Sequence, residues 1–158
     1  MTQSDFGPTR SVVHGSFTIE NVYPHPPGKV FKAFASQQAK DRWFGGPGEW
    51  ERKERTFDFR VGGRETNVGG PRGEPTHGFY ATFQDIVVNE RIVYTYDMTI
   101  GEKRISVSLA TIEFIAEGAG TRVSVTENGV FLDGYDDAGS REHGTRWLMN
   151  KLGATLQD

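Results

Sequence analysis

At 158 residues the chain is long enough for one domain, which would bury roughly 68–70% of the surface that the unfolded chain exposes. The net charge of −3, with no basic stripe, gives no electrostatic reason to expect nucleic acid as a partner. The absence of cysteine excludes disulfides, thiolate catalysis and cysteine-based zinc sites.

The amino-terminal segment, residues 1–10, is polar and contains Gly7 and Pro8, so we expect a disordered lead-in without the apolar core of a signal peptide. No apolar run approaches the ~18–20 residues that span a membrane. We therefore expect a cytoplasmic protein with no membrane partner, in which residues 11–158 form a single domain.

The first predicted elements are a strand over 11–22 and two short helices. Prolines 24, 26 and 27 end the strand, because proline cannot donate to a β-ladder. Pro27 suits the first turn of a helix over 27–35. Ser36 can cap a second helix that runs through Trp43, and the glycines and proline of 45–48 end it.

An antiparallel meander is predicted next, with Gly-rich or polar turns between its strands. The strand candidates are 49–60, 63–68, 78–88, 91–100, 103–116 and 121–128. In strand 103–116, Ile105, Val107 and Leu109 share one face, whereas Ile112 and Phe114 fall on the other. A bulge near residues 110–111 would bring both sets to the interior.

After Gly134 the pattern is helical to the end of the chain. A helix of about 18–20 residues would be about 27–30 Å long, enough to cross a curved sheet. Its predicted stripe, flanked by Trp147 and Met149, consists of Gly144, Leu148, Lys151, Leu152, Thr155 and Leu156. We expect Gly144 to permit close approach to a strand.

Four local motifs carry a resemblance to a known family: Pro27 with the segment Val-Phe-Lys-Ala-Phe at 30–34, Trp-Phe-Gly-Gly-Pro at 43–47, Arg-Val-Gly-Gly-Arg at 60–64, and the stretch from Asp85 to Thr95. In their order and spacing they resemble the family named for the activator of the heat-shock-protein-90 ATPase, within the START-like (SRPBCC) superfamily. The resemblance implies an α+β helix-grip fold. In that fold a curved antiparallel sheet wraps around a long carboxy-terminal helix, with two short helices between the first two strands.

Two departures from the family pattern are visible. Thr145 follows Gly144 where the family usually has tryptophan, which here is Trp147. Glu65 and Asn67 replace apolar residues that tend to face the cavity in this family.

The resemblance also implies a cavity under the terminal helix, because helix-grip proteins commonly have one. The alternative is that the aromatic residues only fill the core. The predicted ligand-binding residues are Trp43, Trp50, Phe59, Glu65, Asn67, Phe83, Asp85, Tyr94, Tyr96, Phe114 and Trp147.

Alternation also places Glu127 inward, together with Glu65, Asn67 and Asp85. Buried carboxylates need partners, so these side chains are expected to orient a ligand, unless they lie at solvent-exposed strand ends.

No catalytic motif is present, and His14, His25, His77 and His143 lack metal-ligand spacing, so we assign no catalytic residue, metal or cofactor. Three functions remain open. Binding of a small hydrophobic or aromatic ligand fits best, ahead of a cyclase- or hydrolase-like enzyme and a chaperone-regulating domain. Homodimer formation is left open.

Overall fold

The computed structural model describes residues 9–156, which contain seven strands and three helices. Of the predicted lead-in, residues 1–8 lie outside the described part of the chain, whereas Arg10 donates a hydrogen bond to Asp133. In chain order the elements are β1 (Val12–Tyr23), α1 (Pro27–Ala35), α2 (Gln37–Lys40), β2 (Glu51–Phe57), β3 (Arg64–Gly70), β4 (His77–Val87), β5 (Arg91–Ile100), β6 (Lys103–Glu117), β7 (Gly120–Leu132) and α3 (Ala138–Thr155).

The strands form one antiparallel sheet in the order β1-β7-β6-β5-β4-β3-β2. Strands β2 to β7 follow one another as a meander. The last of them, β7, also pairs with β1 along the whole length of β1. The curved sheet packs against α3, so the predicted α+β helix-grip fold is confirmed.

The two short helices form for local reasons. Pro27 at the first position of α1 needs no hydrogen-bond acceptor, and the buried Val30, Phe31 and Phe34 lie on one face. The side chain of Ser36 accepts a hydrogen bond from the backbone N–H of Ala39 and so caps α2. The predicted limits of α1 are confirmed, whereas α2 ends at Lys40 instead of continuing through Trp43.

Asp137 caps the amino-terminal end of helix α3. Its carboxylate accepts a hydrogen bond of 2.8 Å from the backbone N–H of Ser140. The residues that it buries are Arg141, Thr145, Met149 and Leu152. The predicted stripe through Gly144 and Lys151 is therefore rotated from the true inward face. Gly144 makes no close approach, because a Cβ built there would meet no atom within 4 Å.

The predicted inward face of β6 is correct for Ile105, Ile112 and Phe114, which are buried, but wrong for two residues. Val107 and Leu109 are outward and exposed, whereas Ser106 and Ser108 are buried with the inward residues that follow them. Hydrophobic alternation missed this because Ser106 has a polar partner on another element, Arg141, whose guanidinium donates to its hydroxyl at 2.8 Å.

The β6 bulge also lies elsewhere than predicted. Residues 110 and 111 pair regularly with Tyr94 and Val93. The register instead shifts where Met98 pairs with Ser106 and Thr99 pairs with Arg104, which leaves Ile105 as the extra residue.

Candidate functional site

A cavity of about 710 Å³ lies between the inner face of the sheet, α3 and the segment that follows α2. Its volume is within the range of about 300–1,000 Å³ that small-molecule sites usually occupy. Its wall includes Lys40, Trp43, Phe44, Trp50, Asn67, Phe79, Tyr94, Tyr96, Met98, Glu127, Arg141, Trp147 and Leu148.

Aromatic rings form the sheet side of this cavity. The ring of Phe79 lies 5.0 Å from that of Tyr96 and 4.9 Å from that of Phe44, measured between centroids. The ring of Tyr94 neighbours two of these rings, with its centroid 5.7 Å from that of Tyr96 and 6.3 Å from that of Phe79. These separations are those of favourable edge and offset contacts, so the wall is rigid and apolar.

At one end of the cavity a buried ion-pair network joins α2 to the sheet. The ammonium of Lys40 donates to one oxygen of Glu65 at 2.7 Å, and Arg55 donates to the other oxygen, also at 2.7 Å. Arg55 in turn donates to Asp41 at 2.8 Å. Lys40 and Glu65 are only 4% and 1% exposed, so neither charge would be tolerated without the other.

Burial lowers the pKa of Lys40, and the nearby Glu65 carboxylate acts in the opposite direction. The ammonium also lies 4.4 Å from the ring centroid of Phe44, close enough for a cation–π interaction. The Glu65 carboxylate and the Phe44 ring therefore hold the Lys40 side chain in place at the cavity wall.

A second polar network lies on β5, β7 and α3. The hydroxyl of Tyr96 donates to Glu127 and accepts a hydrogen bond of 2.9 Å from Arg141. The same guanidinium donates to Asp136 and Ser106, each at 2.8 Å. Burial raises the pKa of Glu127, against the lowering effects of Tyr96 and Arg141.

The mouth of the cavity is formed by the segment 45–50 and the solvent side of α3. The ring of Trp50 packs on the imidazole of His77 at 4.6 Å. Trp147 is 42% exposed, with the ammonium of Lys151 lying 4.4 Å from its ring. All three tryptophans of the chain, including Trp43, contact the cavity.

The structure divides the residues predicted to bind a ligand into two sets. Those that line the cavity are Trp43, Trp50, Asn67, Tyr94, Tyr96 and Trp147. Phe59, Phe83 and Phe114 do not line it: they pack into the main hydrophobic cluster with the rings of α1, Phe59 lying 5.0 Å from Phe83.

The two predicted acids, Glu65 and Asp85, do not reach the cavity either. Glu65 lies behind Lys40 with both oxygens occupied. Asp85 is 40% exposed in its side chain and pairs with Arg91, because the register shift between Phe83 and Asp85 turns it toward solvent.

Sequence reasoning missed Lys40 and Arg141. Arg141 could have been found from its spacing, because it lies four residues before Thr145 and eight before Met149 on the buried face of α3. Lys40 gave no such signal, since its helix is a single turn. Among residues 9–156 no three His, Asp or Glu side chains gather into a candidate metal site.

A family model described as activator of Hsp90 ATPase homolog 1-like protein matches residues 24–157. The chain belongs to this family. The resemblance predicted from the four sequence motifs is thereby confirmed. Within residues 9–156, none of the helices is both long and apolar enough to cross a membrane.

Solved structures of similar chains come from several bacteria. The Mll3558 protein from Rhizobium loti is 46% identical, with a TM-score of 0.85 over 92% of this chain and 99% of that one. A putative uncharacterized protein from Rhizobium leguminosarum is 42% identical, with a TM-score of 0.89 over 94% and 98%. Protein CV1439 from Chromobacterium violaceum, at 22% identity, has a TM-score of 0.78 over 90% and 97% and supports the fold alone. A comparison with curated proteins gave no match.

Proposed function

We propose that this member of the family binds a small molecule with a hydrophobic or aromatic body in its cavity and does not turn it over. The observation that carries the proposal is the cavity of about 710 Å³, walled by the rings of Phe44, Phe79, Tyr94 and Tyr96. Such a wall favours an apolar or aromatic body by removing its surface from water, at roughly 25 cal/mol per Å².

The buried charges support binding over acid–base catalysis. Both oxygens of Glu65 accept hydrogen bonds from Lys40 and Arg55, and the residue does not line the cavity, so it is not placed to exchange a proton with a ligand there. Glu127 has Tyr96 as its hydrogen-bonded neighbour, and burial raises the pKa of that phenol, which therefore stays protonated at neutral pH. The pKa of Tyr96 is thus moved away from neutral pH, whereas a catalytic acid–base pair needs both of its pKa values near the working pH.

The proposal is tested by titrating the protein with N-phenyl-1-naphthylamine, an uncharged fluorophore whose emission rises in apolar surroundings. A Leu148→Trp variant adds bulk to a half-buried residue of the cavity wall. Leu132→Trp makes the same change at a half-buried residue of β7 that does not line the cavity.

We expect saturable binding to the native protein, a loss of at least about tenfold in Leu148→Trp, and a change within about twofold in Leu132→Trp. Circular dichroism must show that both variants remain folded. Absence of saturable binding, or equal losses in the two variants, would contradict the proposal. Native mass spectrometry of protein purified without refolding can then identify the natural ligand.

A further inference from the structure

The two buried carboxylates nearest the cavity differ in how their oxygens are used. Glu65 accepts hydrogen bonds at both oxygens and lies behind the wall. Glu127 lies on the wall, is 5% exposed, and receives a hydrogen bond from Tyr96 at Oε1. Within residues 9–156 no group donates to Glu127 Oε2. This oxygen is not among the fully enclosed polar atoms that lack a partner, so it is open to the cavity, where a ligand can donate to it.

The distribution of charge around the cavity leaves the same residue without a counterion. Lys40 and Arg55 balance Glu65 and Asp41 through direct contacts. Arg141 forms its ion pair with Asp136 at 2.8 Å and reaches Glu127 only through the hydroxyl of Tyr96. Glu127 is thus the one carboxylate of these two networks that has no ion-pair partner.

The surroundings of Glu127 are also suited to a cation. The rings of Tyr96, Tyr94 and Phe79 form a continuous group beside it, with centroid separations of 5.0–6.3 Å. Aromatic faces attract a cation within about 6 Å of the ring centroid, and the attraction is stronger where water is excluded. Such rings favour an ammonium group and accept the apolar body attached to it.

We propose that Glu127 is the anchor for a protonated amine carried by a ligand with an aromatic or apolar body. The inference rests on the proposed function, since it names the chemical class of the ligand bound in that cavity. The ammonium donates to Oε2 of Glu127 and supplies the missing positive charge, while the rings of Tyr94 and Tyr96 contact the cation and the adjoining body. A ligand carboxylate at this place would face an unbalanced negative charge.

The effect of burial on the carboxylate is consistent with this assignment. Desolvation raises the pKa of Glu127 and outweighs the lowering effects of the Tyr96 hydroxyl and the Arg141 guanidinium, which has no direct contact with this carboxylate. An ammonium in hydrogen-bond contact would favour the ionised form, so each group makes the charge of the other more favourable.

Three naphthalene probes of almost the same size test the assignment on the native protein by isothermal titration calorimetry near neutral pH. They are 1-naphthylmethylamine, a cation; 1-naphthalenemethanol, which is uncharged; and 1-naphthoate, an anion. We expect the amine to bind at least about tenfold more tightly than the alcohol, and the anion to bind most weakly.

The matched variants are Glu127→Gln, which removes the charge but keeps the shape, and Glu113→Gln, which makes the same change at an exposed residue of the neighbouring strand β6. We expect Glu127→Gln to reduce the affinity for the amine to that for the alcohol, and Glu113→Gln to leave the preference for the amine unchanged.

The outcomes separate this inference from the proposed function. If the alcohol binds but the amine gains nothing over it, or if Glu127→Gln keeps the preference, the anchor is refuted and cavity binding stands. If none of the probes binds, both proposals are contradicted. The comparison of the three probes on the native protein decides the matter even if Glu127→Gln fails to fold.

Discussion

At the residue scale, the structure assigns different tasks to two glutamates that look alike in the sequence. Both lie on strands at positions that alternation turns inward. The guanidinium of Arg55 and the ammonium of Lys40 make Glu65 part of the framework, whereas Glu127 keeps one oxygen for the cavity. No local pattern around residue 65 or 127 encodes that difference, because their partners lie on α2, β2 and β5.

The contribution of Lys40 to the stability of the protein can be measured with the variant Lys40→Met. This variant keeps the length and apolar stem of the side chain but leaves Glu65 with Arg55 as its sole partner. Removing one member of a buried ion pair usually costs about 3–5 kcal/mol, and we expect about 3 kcal/mol here because Arg55 remains. Urea unfolding gives the free energy directly.

The control for Lys40→Met is Lys53→Met, which breaks the exposed pair between Lys53 and Glu51. Exposed pairs contribute little because water and salt screen them, so no measurable change is expected. Equal effects of the two substitutions would show that Lys40 is not a buried structural cation.

The electrostatic state of Glu127 gives a pH-dependent prediction. Its pKa in the folded protein is raised above the unfolded value of about 4.3. Its contribution to stability is therefore fully present below that value and is lost as the pH rises through the raised pKa. The neighbouring side chains of Tyr94, Tyr96, Arg141 and Asp136 stay in place in Glu127→Gln.

We therefore expect Glu127→Gln to match the native protein in unfolding free energy below about pH 4 and to become more stable than it as the pH rises to neutral. Urea unfolding at a series of pH values measures the difference, with Glu113→Gln as the exposed control. A difference that does not change with pH, or one that favours the native protein at neutral pH, would contradict the raised pKa.

At the element scale, α3 forms one wall of the cavity, and its first turn holds the second polar network in place. The carboxylate of Asp137 caps the helix, and Arg141 follows one turn later with its contacts to Tyr96, Ser106 and Asp136. The cap therefore sets the position from which Arg141 reaches the sheet.

Asp137→Ala removes the hydrogen bond to the backbone of Ser140, and loss of such a cap costs about 1 kcal/mol. We also expect faster amide hydrogen exchange in the first turn of α3. Glu142→Ala, which removes an exposed acid that pairs with Arg146 on the same helix, serves as the control and should change neither quantity appreciably. Unchanged exchange in Asp137→Ala would show that the cap does not hold this turn.

The elements themselves were largely predictable, because prolines, glycines and alternation mark their ends. The limits of α1 and the succession of strands along the chain follow from such local signals. The inward faces of β6 and α3 did not, since Ser106 and Arg141 satisfy each other across the fold and so look like surface residues in the sequence. Of the candidate site, the aromatic wall was partly predicted, and its polar groups were mostly missed for the same reason.

At the scale of the whole molecule, the cavity implies that stability and binding oppose each other. A protein interior is normally close-packed, and filling a space of about 710 Å³ with side chains would add contacts. Gly144 lies on α3 beside this space, and a Cβ placed on it would meet nothing within 4 Å. Glycine at this position therefore has a lower helix propensity than alanine and leaves space that a side chain could fill.

Gly144→Ala and Gly144→Phe separate these two effects. Alanine in place of glycine within a helix stabilises by about 1 kcal/mol, and we expect this from Gly144→Ala with the affinity for 1-naphthalenemethanol unchanged.

In Gly144→Phe the ring extends from a position between Arg141 and Leu148, which lie three residues before and four residues after it on the same side of the helix. We expect Gly144→Phe to be at least as stable as the native protein and to bind the probe at least about tenfold more weakly, because its ring occupies the mouth of the cavity. Thermal unfolding and calorimetric titration measure the two quantities. Undiminished affinity in a folded Gly144→Phe would mean that ligands do not enter past α3.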